Sequence, residues 1–210
     1  MILHHRKTIF IHIPRCGGTS IEKLWFPKTV VTRQSDYQKF IGWHETYQMW
    51  MQHATIREVL ELYRGEGDVE TYFSFSFVRN PWSRALSDWW WMKKNLKTEA
   101  SFDDYLNIRG DFHEACYSME KEYRGDHFKT QYEYLYKDGE CILDFVGRFE
   151  HFQRDFNIMC DTMDTPRVKL PHYNRSSYEK PYQKHFTTRQ VEMVAEIFAE
   201  DIALFGYTFE

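Results

Sequence analysis

Two stretches of the chain pass from an apolar run through a short break into helical periodicity. Thr8–Ile13 is a β-rich apolar run, and after it Ile21, Leu24 and Trp25 recur at helical spacing. Tyr72–Val78 alternates as YFSFSFV and leads directly into a segment that can begin a helix. The pattern predicts two strand-turn-helix units.

Two further helices are predicted by capping boxes. Thr55 and Glu58 have the spacing of such a box, and apolar residues follow at helical intervals. Thr187 and Gln190 repeat that spacing, and we expect their helix to continue until Gly206 ends it.

Other segments complete the expected fold. We expect a loop over Gly42–Glu45 and a hairpin-like segment over Glu133–Phe149. The prediction is an α/β protein with a P-loop-like central parallel sheet flanked by helices, formed by residues 1–210 as one domain.

Composition narrows the possible partners. The net charge of −4 gives no general attraction to nucleic acid or to an anionic membrane, so any anion site must be local. The four cysteines are scattered without a C-x-x-C pair, which signals neither a zinc site nor a disulfide scaffold. The sequence has no secretory signal and no run of eighteen apolar residues. We therefore expect a cytoplasmic protein without an integral membrane segment.

The first turn has the composition of an oxyanion site. Pro14–Gly18 joins the predicted strand to the predicted helix, and its two glycines allow several backbone N–H groups to converge. Arg15 adds a guanidinium group, and Thr19 and Ser20 add hydroxyl donors at the start of the helix. An ordinary strand-to-helix turn with polar caps fits the same residues.

The spacing in this turn disfavours related loops. A Walker A loop places lysine before its hydroxyl residue, whereas this chain has Gly18 there. The G-x-G-x-x-G dinucleotide fingerprint is also absent. Cys16 is not followed by the arginine that closes a thiolate phosphatase loop, so a nucleophilic role for it is disfavoured.

The second predicted strand also ends in basic and hydroxyl residues. Arg79 stands at the strand end, Pro81 suits the first turn of a helix, and Arg84 and Ser87 lie three residues apart on one helical face. Open α/β sheets bind ligands at the carboxyl ends of their strands, which favours a second anion site here. The alternative is a solvated basic helix start.

Two histidines are candidate proton acceptors. His53 lies just before the helix that Thr55 caps, where the positive end of the helix favours a neutral ring. His44 is a second candidate on the same grounds. Histidines beside a helix start more often cap or pack, so placement alone does not make either residue a base.

The two turns together resemble the cofactor motifs of the sulfotransferase superfamily, in its family-2, carbohydrate-type branch. The matching segments are IHIPRCGGTSIEKLW and FSFVRNPWSRALS. His53-Ala54-Thr55 resembles the H-A-T segment of that family, and the stretch from Tyr134 to Glu150 resembles its Y-L…F-V-G-R-F-E stretch. Leu170-Pro171-His172-x-Asn174 and Asp201–Tyr207 resemble its C-terminal part.

The resemblance implies an enzyme that moves a sulfuryl group from 3′-phosphoadenosine-5′-phosphosulfate (PAPS) to an acceptor hydroxyl, on a carbohydrate. In that family the first loop holds the 5′-phosphosulfate and R-N-P-x-x-R-x-x-S holds the 3′-phosphate. No metal is needed. The cofactor-binding residues carried over are Arg15, Cys16, Gly17, Gly18, Thr19, Ser20, Arg79, Ser87 and Arg148. The catalytic residues are His53, as the base, and Arg15, with Glu58 or His44 as the alternative base.

One departure from the family pattern concerns the rate. The family usually has Lys and Thr where this chain has Arg15 and Cys16. Arginine keeps the charge but changes reach and geometry. A module that binds the nucleotide or an anionic glycan without turnover therefore stays an alternative, as does a nucleotide phosphotransferase, which the missing P-loop lysine disfavours.

Overall fold

The computed structural model describes residues 1–27, 31–65, 67–118, 123–171, 173 and 181–210. His172 and Asn174, which belong to the C-terminal resemblance, lie outside the described residues. The strands are β1 (Ile2–Leu3), β2 (Thr8–Ile11), β3 (Trp43–His44), β4 (Met49–Trp50), β5 (Phe73–Val78), β6 (Tyr136–Lys137), β7 (Glu140–Cys141) and β8 (Phe145–Arg148). The α-helices are α1 (Gly18–Trp25), α2 (Ile56–Leu62), α3 (Pro81–Leu96), α4 (Phe102–Leu106), α5 (Asp111–Tyr117), α6 (Gly125–Phe128), α7 (Gln131–Leu135), α8 (Phe152–Thr162), α9 (Thr188–Ile197) and α10 (Ala199–Phe205).

The chain forms two compact units. The first contains Met1–Val78 and Gln131–Tyr173, and the second contains Arg79–Thr130 and Asn174–Glu210. None of the helices in the described ranges combines the length and apolarity that a membrane span requires.

A four-stranded sheet organises the first unit. Its order is β1-β2-β5-β8, with β2, β5 and β8 parallel and β1 antiparallel at the edge. The sheet therefore confirms the predicted α/β class with a mostly parallel sheet. β2 and β5 are direct neighbours, with Phe10 opposite Phe75. The two strands predicted from the sequence thus lie side by side.

Aromatic packing fixes α1 on this sheet. The rings of Phe10 and Phe75 stack with centroids 5.0 Å apart, and Trp25 of α1 meets Phe75 edge-on at 5.1 Å. Ile21 of α1 and Phe156 of α8 are fully buried in the same core. Because α1 is held by its apolar face, the loop that precedes it has a fixed position at the end of β2.

The predicted loop over Gly42–Glu45 is wrong at its centre. Trp43 and His44 form β3, which pairs antiparallel with β4. The Trp43 ring is buried and meets Trp50 across the strands at 5.4 Å. A cross-strand pair of this kind stabilises a short hairpin that local propensity does not reveal.

Helices form the second unit. Pro81 is the first residue of α3, and the Asn80 side chain caps that helix by accepting from the Ser83 N–H. The Trp82 indole donates to the Val191 carbonyl and so ties α3 to α9. The single C-terminal helix predicted after Thr187 is wrong, because the chain breaks at Phe198 into α9 and α10.

The capping box of α2 generates a stability prediction. Thr55 Oγ1 accepts from the Glu58 N–H at 3.1 Å, and the Thr55 N–H donates to Glu58 Oε2 at 2.7 Å. Thr55→Ala removes the first bond and should lower the free energy of unfolding by about 1 kcal/mol in urea denaturation. Thr162→Ala, at the exposed end of α8, is the control and should lower it by less than about 0.5 kcal/mol. Equal losses in the two variants would contradict the capping role.

Candidate anion-binding site

The loop between β2 and α1 is curled by two residues in the left-handed region. Arg15 has φ of 66° and Gly17 has φ of 85°, and α1 begins at Gly18. Side chains disfavour such a φ, so Arg15 holds a strained backbone conformation of the kind that concentrates at functional sites. Left-handed residues that alternate with right-handed ones direct successive backbone N–H groups toward one concavity. Such a concavity at the start of a helix suits an oxyanion.

Both glycines are required by close packing. A Cβ on Gly18 would lie 2.0 Å from the His12 ring, and a Cβ on Gly17 would lie 2.8 Å from Phe152. Gly17 would need a left-handed φ in addition, which a side chain disfavours. The loop backbone thus lies directly against aromatic rings, and no larger residue fits without displacing them.

Cys16 contributes its backbone to the loop and turns its thiol inward. The side chain is 2% exposed, and its Sγ donates to Gln131 Oε1 at 3.4 Å. A thiol in this position is shielded from solvent. The sequence expectation that Cys16 is not a nucleophile agrees with this geometry.

His53 lies beside the loop with a defined tautomer. Its Nδ1 is 3.0 Å from the carbonyl oxygen of His12. Because a carbonyl oxygen only accepts, Nδ1 carries the proton and Nε2 holds the lone pair of the neutral ring. The His53 and His12 ring centroids are 4.6 Å apart. His12 therefore contacts both the His53 side chain and the Gly18 backbone.

His12 and Glu22 are two residues of this region that sequence reasoning missed. His12 Nδ1 and Glu22 Oε2 are 3.9 Å apart, and both side chains are buried. Burial raises the pKa of the Glu22 carboxyl, while Lys23 and the chain's terminal amino group oppose that rise. The available signal was a polar residue inside the apolar run Thr8–Ile13, which is unusual for a buried strand end.

The two alternative bases have other roles in their immediate surroundings. His44 Nδ1 accepts from the Tyr47 N–H at 3.4 Å, so the proton of the neutral ring lies on Nε2. Its ring packs edge-on against Tyr37 and Tyr47. Glu58 closes the α2 capping box with its carboxylate. His44 and Glu58 thus each have a structural contact of their own.

The predicted residues at the start of α3 are buried rather than solvated. Arg79 donates through Nε and Nη2 to Ser83 Oγ, at 3.0 and 2.7 Å. Arg84 donates through Nη2 to the carbonyls of His127 and Lys129, at 3.2 and 3.0 Å, which gives it a structural role. Ser87 is 2% exposed. The solvated alternative for this segment is therefore wrong.

Arg148 ends β8 in the first unit. It lies opposite Val78 in the parallel pairing of β5 with β8, and its N–H donates to Asp155 Oδ2 at 2.8 Å. Asp155 thereby fixes the backbone at the carboxyl end of β8. Arg148 is predicted to bind the cofactor because of the family resemblance, and the structure gives the position of its main chain.

Comparison with known proteins adds a family match. The family model described as "Sulfotransferase family" matches residues 1–208. The crystal structure of a sulfotransferase from Alicyclobacillus acidocaldarius is similar with a TM-score of 0.49 and 14% identity, over 97% of this chain and 96% of that chain. No curated protein matches the sequence. The family match spans the β2–α1 loop and the start of α3.

The contact between Gly18 and His12 generates a double-mutant prediction. Gly18→Ala should lower the free energy of unfolding by about 1–3 kcal/mol, because its Cβ overlaps the His12 ring. His12→Ala removes that ring, so the double variant should recover part of the loss caused by Gly18→Ala alone. Urea unfolding of the four proteins measures the coupling. Strictly additive losses would show that the ring does not set the space at Gly18.

Thiol accessibility gives a second prediction for this site. Cys141 is exposed and should react first with iodoacetamide in the native protein, whereas Cys16 should stay unmodified. Cys116 and Cys160 should react slowly, because burial raises the pKa of both thiols. Peptide mass spectrometry over time identifies each labelled position. Early labelling of Cys16 would contradict its inward orientation.

Proposed function

The chain belongs to the sulfotransferase family, and we propose that it transfers a sulfuryl group from PAPS to an acceptor hydroxyl on a carbohydrate. The observation that carries this proposal is the β2–α1 loop, where two left-handed residues and two obligate glycines form a backbone cradle. A cradle of N–H groups at a helix start fits the phosphosulfate end of the donor. The acceptor class rests on the carbohydrate-type resemblance alone.

The proposed donor contacts follow the family motifs onto this chain. The N–H groups of Gly17, Gly18 and Thr19, with the side chains of Arg15 and Ser20, would hold the 5′-phosphosulfate. Arg79 and Ser87 would anchor the 3′-phosphate. Cys16 donates its N–H to the Ile13 carbonyl at 3.3 Å, so it would support the loop conformation rather than supply an N–H to the nucleotide. Arg148 would contact the nucleotide from the end of β8.

Hydrogen-bond donors in fixed positions explain how the loop would promote sulfuryl transfer. As the S–O bond to the nucleotide breaks, its electron pair stays on the leaving phosphate oxygen. Arg15 and the loop N–H groups would stabilise that charge, and one preorganised hydrogen-bond donor of this kind is typically worth about 3 kcal/mol of barrier. This chemistry uses no metal, and the absence of a metal requirement stays a prediction.

His53 is the proposed base. The acceptor hydroxyl forms the new O–S bond and gives its proton to Nε2 of His53. The tautomer fixed by the His12 carbonyl supports this role, since it keeps the lone pair on Nε2 in the neutral ring. His44 has the opposite tautomer and Glu58 caps α2, which favours His53 over both.

The alternatives and the location stay open to experiment. Arg15 in place of the usual lysine keeps a non-catalytic binding module as the second candidate, for which Arg15→Lys would not create turnover. A nucleotide phosphotransferase is disfavoured by Gly18 in the lysine position. The cytoplasmic location remains a prediction from the sequence.

Ligand-dependent stabilisation tests the donor assignment. Adenosine 3′,5′-bisphosphate, the product left by PAPS, should stabilise the protein by about 2.7 kcal/mol at a hundredfold excess over its dissociation constant. ATP with magnesium should give no comparable shift. Thermal unfolding with each ligand measures the difference, and stabilisation by ATP with magnesium alone would refute the assignment.

Two arginine variants make that test specific. Arg79→Ala should abolish the bisphosphate shift, measured against the same variant without ligand. Arg189→Ala, exposed on α9, is the control and should keep the full shift. A full shift in Arg79→Ala would show that the 3′-phosphate is not held there.

A separate kinetic prediction concerns His53. His53→Gln should lower kcat about 100- to 10,000-fold, while the bisphosphate shift is retained, because a base acts on the acceptor rather than on the nucleotide. Release of adenosine 3′,5′-bisphosphate from PAPS with monosaccharide acceptors measures turnover. His113→Gln is the exposed control. Loss of turnover in His44→Gln but not in His53→Gln would assign the base to His44.

A further inference from the structure

A buried ionisable pair lies behind the β2–α1 loop. Glu22 of α1 is 7% exposed and His12 of the loop is 6% exposed, and their side chains approach to 3.9 Å. A carboxylate in such a place loses much of its hydration, so it is retained only where a partner offsets that loss. Lys23 and the buried terminal amino group oppose the rise in the pKa of Glu22, and the His12 imidazole lies beside the same carboxyl.

His12 connects this carboxylate to His53 by two contacts. Its carbonyl oxygen accepts from His53 Nδ1 at 3.0 Å, and its ring lies 4.6 Å from the His53 ring, tilted by 60°. The His12 ring stacks on the Phe10 ring and lies against the Gly18 backbone, and these two contacts fix its position. His12 therefore contacts both Glu22 and a His53 ring that one hydrogen bond orients.

The charged groups around this pair are few among the described residues. Lys23 Nζ is 3.8 Å from Glu22 Oε1, but its side chain is 36% exposed and its field is screened. The amino group of Met1 is buried, and burial lowers its pKa to about 5. Arg15 lies in the loop itself. Glu22 is a carboxylate for which the structure gives a contact with His12.

We propose that His12 and Glu22 are positioning residues that raise the proton affinity of His53. The negative charge of Glu22 stabilises the imidazolium that forms when His53 takes the proton of the acceptor. The proposal rests on the proposed function, because it gives this histidine a reason to accept a proton. An opposite charge near an ionisable group favours its charged form, and the effect is strongest where solvent is excluded. Glu22 and His12 touch neither donor nor acceptor in this scheme.

The direct test is the titration of His53 by NMR in the protein without ligand. Glu22→Gln keeps the size of the side chain and removes its charge, so the pH midpoint of His53 should fall by about 0.5 units or more. Glu61→Gln removes an exposed carboxylate from α2, whose partner is Arg57, and should leave the midpoint unchanged. His53→Gln assigns the resonance by its disappearance.

A second variant covers the case in which Glu22→Gln does not fold. His12→Phe keeps a ring against Gly18 and Phe10 but removes the partner of Glu22. Without the imidazole the buried carboxyl loses a polar neighbour, so we expect its pKa, which burial already raises, to rise further. The His53 midpoint should therefore fall in this variant as well. An unchanged midpoint in either folded variant, or an equal fall in Glu61→Gln, would overturn the proposal.

Kinetics separate this proposal from the proposed function. The acid limb of the kcat profile should move to lower pH in Glu22→Gln by the same interval as the NMR midpoint, while the KM for PAPS is retained. A purely structural role for Glu22 would lower activity without moving that limb. If the bisphosphate fails to bind while Glu22→Gln still moves His53, the proposed function is refuted and the effect of Glu22 on His53 stands.

Discussion

The close approach of the Gly18 backbone to the His12 ring is the constraint on which the site depends. It requires glycine at the first position of α1, and the carbonyl of the same His12 residue fixes the tautomer of His53. The aromatic core of the first unit keeps α1 in place against the sheet, so the loop cannot relax away from this contact. Packing, backbone conformation and the orientation of the proposed base are therefore set together.

The proposed anion site is local in a protein of net charge −4. Under the proposed function, attraction for the phosphosulfate would come from backbone N–H groups, from the start of α1 and from Arg15, rather than from a basic surface. Backbone donors need no counterion and do not titrate. Under the proposed function, this would allow an acidic chain to hold a highly charged nucleotide.

Sequence patterns predicted the elements whose signals are local. The apolar run before the loop, the capping box at Thr55 and the proline start of α3 all have short-range causes, and the structure contains each of them. The β3–β4 hairpin and the break at Phe198 were missed. The hairpin depends on the contact of Trp43 with Trp50, and nothing in the local pattern at Phe198 marked an end to the helical period.

The site could be predicted in part for the same reason. Glycines and hydroxyl residues after an apolar run predicted a strand-to-helix turn, which the structure contains, and its binding of an oxyanion stays a prediction. The inward thiol of Cys16 and the burial of Arg84 depend on partners more than 40 residues away in the chain. His12 and Glu22 were missed because their meeting follows from how α1 packs back on the end of β2, which periodicity does not specify.

A crystal structure with adenosine 3′,5′-bisphosphate tests the central claim most directly. The 5′-phosphate oxygens should lie about 2.7–3.2 Å from the backbone nitrogens of Gly17, Gly18 and Thr19. His53 Nε2 should face the side of that phosphate from which an acceptor would approach. A nucleotide bound with its 5′-phosphate away from this loop would contradict the assignment of the loop as the sulfuryl-donor site.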